Sequence, residues 1–104
     1  MYDAIFTIVE KGMAPEVIEA ANSAGARGGT IIKGRGSGIH ETEVLFAMPV
    51  EPEREIVLIL AQTDMTEEIT TAIRKEVDLD SPGRGIIFVT GTSRTYGLYV
   101  EKEK

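Results

Sequence analysis

The chain predicts an α+β fold, one antiparallel sheet with two helices on one face. Two observations carry that prediction. Runs rich in β-branched residues alternate with helix-period runs across 104 residues, in the order β-α-β-β-α-β, two βαβ halves with a long connection between the second and third strands. Each half also places a glycine-plus-arginine segment directly after its helix. The first copy is Gly28-Gly29-Thr30-Ile31-Ile32-Lys33-Gly34-Arg35-Gly36-Ser37-Gly38, the second Gly83-Arg84-Gly85-Ile86-Ile87-Phe88-Val89-Thr90-Gly91. The order is that of the ferredoxin-like sandwich.

Asp3 to Val9 is rich in Ile, Phe, Thr and Val and alternates loosely, as a buried strand does. Gly12 ends it. Pro15 suits the first helical position, Val17, Ile18, Ala21 and Ala24 share one face, and Gly25 supplies a C-terminal cap. The second strand runs from about Gly29 to Lys33 and leaves through glycines. A short apolar stretch, Val44 to Met48, is closed by Pro49 and Pro52. Glu55 to Ala61 holds five consecutive apolar residues, Ile56 to Leu60, and is the clearest strand. Asp64 and Glu67 have the spacing of a capping box, after which Ile69, Ala72, Ile73 and Val77 stripe the second helix. Asp80-Ser81-Pro82-Gly83 is a turn, and Gly85 to Thr92 is the last strand. Two helices cover one face of the sheet; apolar side chains on the other face are buried by self-association, so an oligomer is expected.

The length supports one domain, residues 1–100, with a frayed, solvated tail at Glu101-Lys102-Glu103-Lys104. Hydrophobic content of 42% and charged content of 27% are those of a soluble globular protein. No apolar run approaches the roughly 20 residues that cross a bilayer. Residues 1–10 read as a strand rather than a leader, and the absence of cysteine leads to the expectation of a cytoplasmic protein. With no cysteine, disulfides, thiolate metal sites and cysteine nucleophiles are excluded. A net charge of −6 argues against nucleic acid as a partner. Against that sign, five of the eleven basic residues (Arg27, Lys33, Arg35, Arg84, Arg94) lie in or beside the two glycine segments.

Glycine lets backbone N–H groups approach a ligand, and free N–H groups at strand ends form anion-binding nests. With cations beside them, the segments suit phosphate or another small anion. Neither matches a dinucleotide or P-loop fingerprint. The bland alternatives are a hinge at Gly34–Gly38 and a turn with a bulge at Pro82–Gly85. His40, with Glu41 and Glu43, reads as a solvated loop rather than a metal site. Glu51, Glu53 and Glu55 read as solvated charge, and no catalytic centre is recognisable. Tyr96 and Tyr99 suit packing on a neighbouring subunit better than stacking on a base.

Together these segments resemble the PII nitrogen-regulatory proteins and their PII-like relatives. The likeness runs from about Asp3 to Tyr96. It rests on Ala24-Gly25-Ala26-Arg27-Gly28-Gly29-Thr30, then Gly34-Arg35-Gly36 at the base of the long loop, then Pro82-Gly83-Arg84-Gly85-Ile86-Ile87-Phe88-Val89. The resemblance implies a homotrimer that binds adenyl nucleotides (ATP, ADP or AMP) between subunits. Such proteins signal through the long loop, which touches a partner enzyme or transporter. By position, Thr30 resembles the threonine beside the adenine, and Gly34 and Gly36 the loop-base glycines under ribose and phosphate. Gly83 and Gly85 resemble the second phosphate-holding loop, Leu60 presents its backbone to the adenine edge, and Ile5 or Thr7 lines the base. Arg35, Ser37, Gly38, Arg84 and Arg94 complete the expected anion-binding set.

The departures are specific. Ile86 stands where a lysine is expected, so Arg84 or Arg35 must supply that charge. Ser37, Gly38 and Ile39 replace the usual glutamine and lysine, and Gly97 and Tyr99 replace two arginines, leaving Arg94. Each charge-assisted contact is worth roughly 1.5–3 kcal/mol, so triphosphate affinity drops and a less charged nucleotide or another small anion also fits the site. The loop, about Ser37 to Glu53, is short and has no tyrosine, so loop-tyrosine modification and channel plugging are not implied. The expectation is a PII-like regulator, not an enzyme, with no required cofactor, acting through its 37–53 loop. The rivals are a small hydrolase of acyl or phosphoryl substrates, which lacks a water-positioning asparagine because Asn22 is helical, and a ligand-free trimeric scaffold.

Overall fold

The computed structural model describes residues 1–36, 43–45, 48–50 and 52–98, the two short strands among them by their backbone. In chain order the elements are β1 (Tyr2–Glu10), α1 (Ala14–Ser23), β2 (Thr30–Arg35), β3 (Glu43–Leu45), β4 (Met48–Val50) and β5 (Glu53–Gln62). One 3₁₀ turn, Thr63–Met65, then leads into α2 (Thr66–Glu76), and β6 (Gly85–Gly91) follows. The main sheet has the order β2-β5-β1-β6 with every neighbouring pair antiparallel. That is the ferredoxin-like arrangement the element order predicted.

The pleat sorts each strand's side chains onto two faces. On one face Ile5, Val9, Val57 and Ile59 pack with Val17 and Ala21 of α1 and Ile69 and Ile73 of α2. Both helices therefore lie on this side. On the other face Ile32, Leu60, Ile86 and Phe88 remain 39–53% exposed, and the Phe6 and Phe88 rings stack at 4.7 Å. No helix among the described residues is long and apolar enough to cross a membrane.

Several local expectations need correction. Asp64 and Glu67 form no capping box, because Asp64 belongs to the 3₁₀ turn and α2 starts two residues later without a side-chain cap on Met65. Instead, the Thr66 hydroxyl donates to Asp3 Oδ2 at 2.7 Å, tying the helix start to β1. Pro15 occupies the second rather than the first position of α1. The C-terminus follows the expectation: Gly25 (φ +108°) donates to Asn22 O and Ala26 N–H to Ala21 O, a Schellman cap. The long connection is narrower than predicted. Gly34 and Arg35 extend β2, and Glu53 and Arg54 begin β5, because cross-strand pairing continues at both ends (Gly34 with Arg54, Arg35 with Glu53). Pro49 does not close the apolar stretch; it sits inside β4, opposite Val44 in a two-stranded sheet.

Candidate functional site

Glycine is required at some positions of the two segments by the fold itself, and at others by nothing among the described residues. Gly28 has φ +88° and its N–H donates to Asn22 Oδ1 at 2.9 Å. At Gly29 a Cβ would press on Ile59 Cγ1 and the Leu58 carbonyl, at 3.1 and 3.2 Å. Gly85 (φ +137°) lies against β1 so closely that a Cβ would collide with the Ile8 carbonyl oxygen. Its ladder with Val9 is continuous, so it makes no bulge. Gly83 (φ +77°) serves the turn into β6. Gly34 and Gly36 differ. Neither has a positive φ; among the described residues a Cβ on Gly34 would meet only Ile56 Cδ1 at 3.7 Å, and one on Gly36 would meet nothing within 4 Å.

Around Gly34 the sheet forms a pocket of 370 Å³. Register puts Lys33 and Arg35 of β2 on the same face as their partners Glu55 and Glu53 of β5. Lys11, just past the end of β1, completes the charged rim, and Arg54 also lines the cavity. The Lys11 ammonium lies 2.8 Å from Glu53 Oε2, and an Arg35 Nη2 lies 3.8 Å from Glu53 Oε1. The hydrogen bond and charge of Lys11, with the charges of Arg35 and Lys33, hold the Glu53 carboxyl below its ordinary 4.5. The same bond to Glu53 raises Lys11 above 10.5. Glu55 does structural work: its Oε1 accepts the Gly12 and Ala14 N–H groups at 2.8 and 2.9 Å. A carboxylate carried by β5 thus caps the first turn of α1. Gly36 donates to the Pro52 carbonyl at 3.1 Å and accepts from Arg54 Nε at 3.2 Å, which closes the base of the connection.

Sequence reasoning found Gly34, Arg35 and Gly36 and missed Lys11, Glu53, Arg54 and Glu55 as their neighbours. The available signal was Lys33-x-Arg35 against Glu53-x-Glu55, two same-face pairs of opposite charge that an antiparallel ladder sets opposite one another. The second segment is not part of this pocket. Lys33, Glu55, Val9 and Gly85 form one row across the sheet. Gly83–Gly85 therefore lies at the same end but on the opposite edge, three strand spacings or about 14 Å away. One Arg84 nitrogen, Nε, already donates to the Val77 carbonyl at 3.1 Å, so only its Nη groups remain for a ligand. Thr30 opens β2 as an exposed residue, Leu60 is 39% exposed on the open face, and Arg94 is exposed beyond β6. Ile5 and Thr7 cannot line a base from the surface of the protomer: both face the helices and are fully buried. Tyr96 is 84% exposed. Ser37, Gly38, His40, Glu41, Tyr99 and the tail 101–104 lie outside the described residues, as do most of the loop and the side chain of Glu43.

The model of the nitrogen regulatory protein P-II family matches residues 2–102. No curated protein matches the chain. Among solved structures, that of Arabidopsis thaliana PII bound to citrate superposes with a TM-score of 0.68, at 24% identity, over 88% of this chain and 78% of that one. At that identity the superposition speaks for the fold, while the family match spans nearly the whole sequence. The chain belongs to the nitrogen regulatory protein P-II family.

Proposed function

We propose that this chain is a homotrimeric regulator that binds an adenyl nucleotide or a similar small anion in clefts between protomers. The bound state is passed to a partner protein, a transporter or metabolic enzyme, through the 37–53 segment, and the chain itself catalyses nothing. Membership of a family of signalling proteins supports the regulatory role. The observation that carries the ligand reading is that nothing among the described residues requires glycine at Gly34 and Gly36, yet both stand beside Lys33 and Arg35. Unobstructed space beside cations is what a phosphate or carboxylate needs.

The second glycine segment sits on the far edge of the same sheet end, so one protomer cannot close both segments on one ligand. A neighbour that brings its Gly83–Gly85 edge against Gly34–Gly36 would do so, which favours a cleft between chains. The citrate held by the Arabidopsis protein supports small polyanions as the ligand class. Binding shifts the loop only by its difference in affinity for the loop's states.

Calorimetric titration with ATP, ADP and AMP tests the reading, with light scattering on the same samples for the trimer. Micromolar binding is expected, weakened about tenfold by Arg35→Ala, the loss of one charge-assisted contact. No binding of any of the three nucleotides would refute it.

A further inference from the structure

β2 is an edge strand. Its outer backbone groups pair with nothing among the described residues, and Ile31 and Ile32 stay 43% exposed there. On the helix side of that edge, Ile31 lines an open groove of 640 Å³ with Pro15, Ile18 and Glu19 of α1. Lys33 and Arg35 follow at the next two positions of the same face. The edge thus offers an apolar seat and then two cations, with exposed Ile32 on the opposite face. Residues 98–103, Leu-Tyr-Val-Glu-Lys-Glu, carry the complementary order. Laid parallel to β2, Tyr99 meets Ile31, Val100 meets Ile32, and Glu101 and Glu103 meet Lys33 and Arg35. Run antiparallel from the same anchor, Glu101 passes Gly29 and no cation is met.

We propose that residues 98–103 of a neighbouring copy add to the outer edge of β2 as a parallel strand, with Tyr99 in the α1 groove and Glu101 and Glu103 on Lys33 and Arg35. Main-chain hydrogen bonds along an open edge supply the affinity, and alternate side chains set the register. The chain's own segment is badly placed for this edge. It leaves β6 at Gly91, on the opposite edge and four residues beyond the rung that holds Ile31. Strand geometry makes the path about 23 Å, for residues 92–99 that include a turn at Gly97 (φ +84°). A neighbour whose β6 edge faces β2 delivers the segment directly. The proposal rests on the cleft between chains inferred for the ligand and adds its regulation. Glu101 and Glu103 occupy the cations that an anionic ligand needs, so ligand and strand exclude one another.

The chain has no cysteine, so engineered pairs report cleanly. Lys33→Cys with Glu101→Cys, mildly oxidised, should join chains into covalent dimers and trimers on non-reducing gels, because paired strands hold facing Cα atoms about 5 Å apart. Lys33→Cys with Lys102→Cys, whose second cysteine falls on the opposite face, should link about fivefold more slowly or less. Equal rates for the two pairs, no link at all, or links within single chains only overturn the proposal. Ending the chain at Leu98, or Glu101→Gln with Glu103→Gln, should tighten ATP or ADP binding about threefold, the worth of exposed ion pairs. Nucleotide affinity that neither variant changes overturns the mutual exclusion. Links between chains in a protein that binds no nucleotide uphold the strand and sink only the nucleotide reading.

Discussion

Thr7 is fully buried between β1 and the helices, and its hydroxyl has no hydrogen-bond partner among the described residues. A buried, unpaired hydroxyl carries a desolvation penalty of about 1–3 kcal/mol, so Thr7→Val is expected to stabilise the fold by about 1 kcal/mol. A raised denaturation midpoint at unchanged m-value would show it; a lowered one would mean the hydroxyl is satisfied after all. Glycines give the opposite test. Gly85→Ala forces a methyl group into the Ile8 carbonyl at a left-handed φ and should destabilise by more than about 2 kcal/mol. Gly34→Ala meets no such obstacle and should melt within about 0.5 kcal/mol of the parent, a contrast that thermal denaturation of the two variants reads directly. In the sequence these glycines look alike; only the approach of β6 to β1 separates them.

At the scale of elements, α1 has no side-chain cap of its own, and Glu55 of β5 does that work across more than forty residues. Glu55→Ala should lower stability by about 1–2 kcal/mol and speed hydrogen exchange at Gly12 and Ala14 before the rest of the helix. An unaltered exchange pattern would refute the cap. The neighbouring Lys11–Glu53 pair makes a pH prediction with two limbs. Glu53 has its pKa lowered on folding, so its contribution is present above the ordinary carboxylate value and fades as pH falls through the lowered one. Lys11 has its pKa raised, so its contribution is complete below the ordinary amine value and fades as pH rises through the raised one. A ¹³C titration of the Glu53 carboxyl should give a midpoint below 4.5. Lys11→Met, or molar salt, should bring it back toward that value, because both groups are exposed and screened.

Across the whole molecule, the helices cover one face of the sheet, and the other face leaves Ile32, Leu60, Ile86 and Phe88 in water. A group of large side chains at that exposure is a patch that the proposed trimer would bury. Phe88→Glu, which puts a charge against Phe6 at the centre of that face, should yield particles with the mass of one chain in light scattering while the helical circular dichroism persists. Assembly that survives Phe88→Glu would move the interface to another surface. The nucleotide reading would follow the same variant: a cleft between chains vanishes with assembly, whereas the Lys11–Arg35 pocket, internal to the protomer, remains.

The element order, the core stripes of both helices and the family were legible in the residues, because periodicities of two and 3.6 and the placement of glycines are properties of short segments. The candidate site was legible only in part. Gly34, Arg35 and Gly36 drew attention by type, but Glu53 and Glu55 joined them through the pairing of β2 with β5, which brings together residues about twenty apart, and Lys11 through the pairing of β1 with β5. The Asp64–Glu67 spacing predicts a cap for the same reason in reverse: a local pattern lost to a tertiary contact, Thr66 with Asp3. The sequence by itself determined which segments fold and which face of each is apolar. Tertiary structure decided strand register, and with it which charges meet in one pocket, since electrostatic neighbours are set by distance in space rather than along the chain.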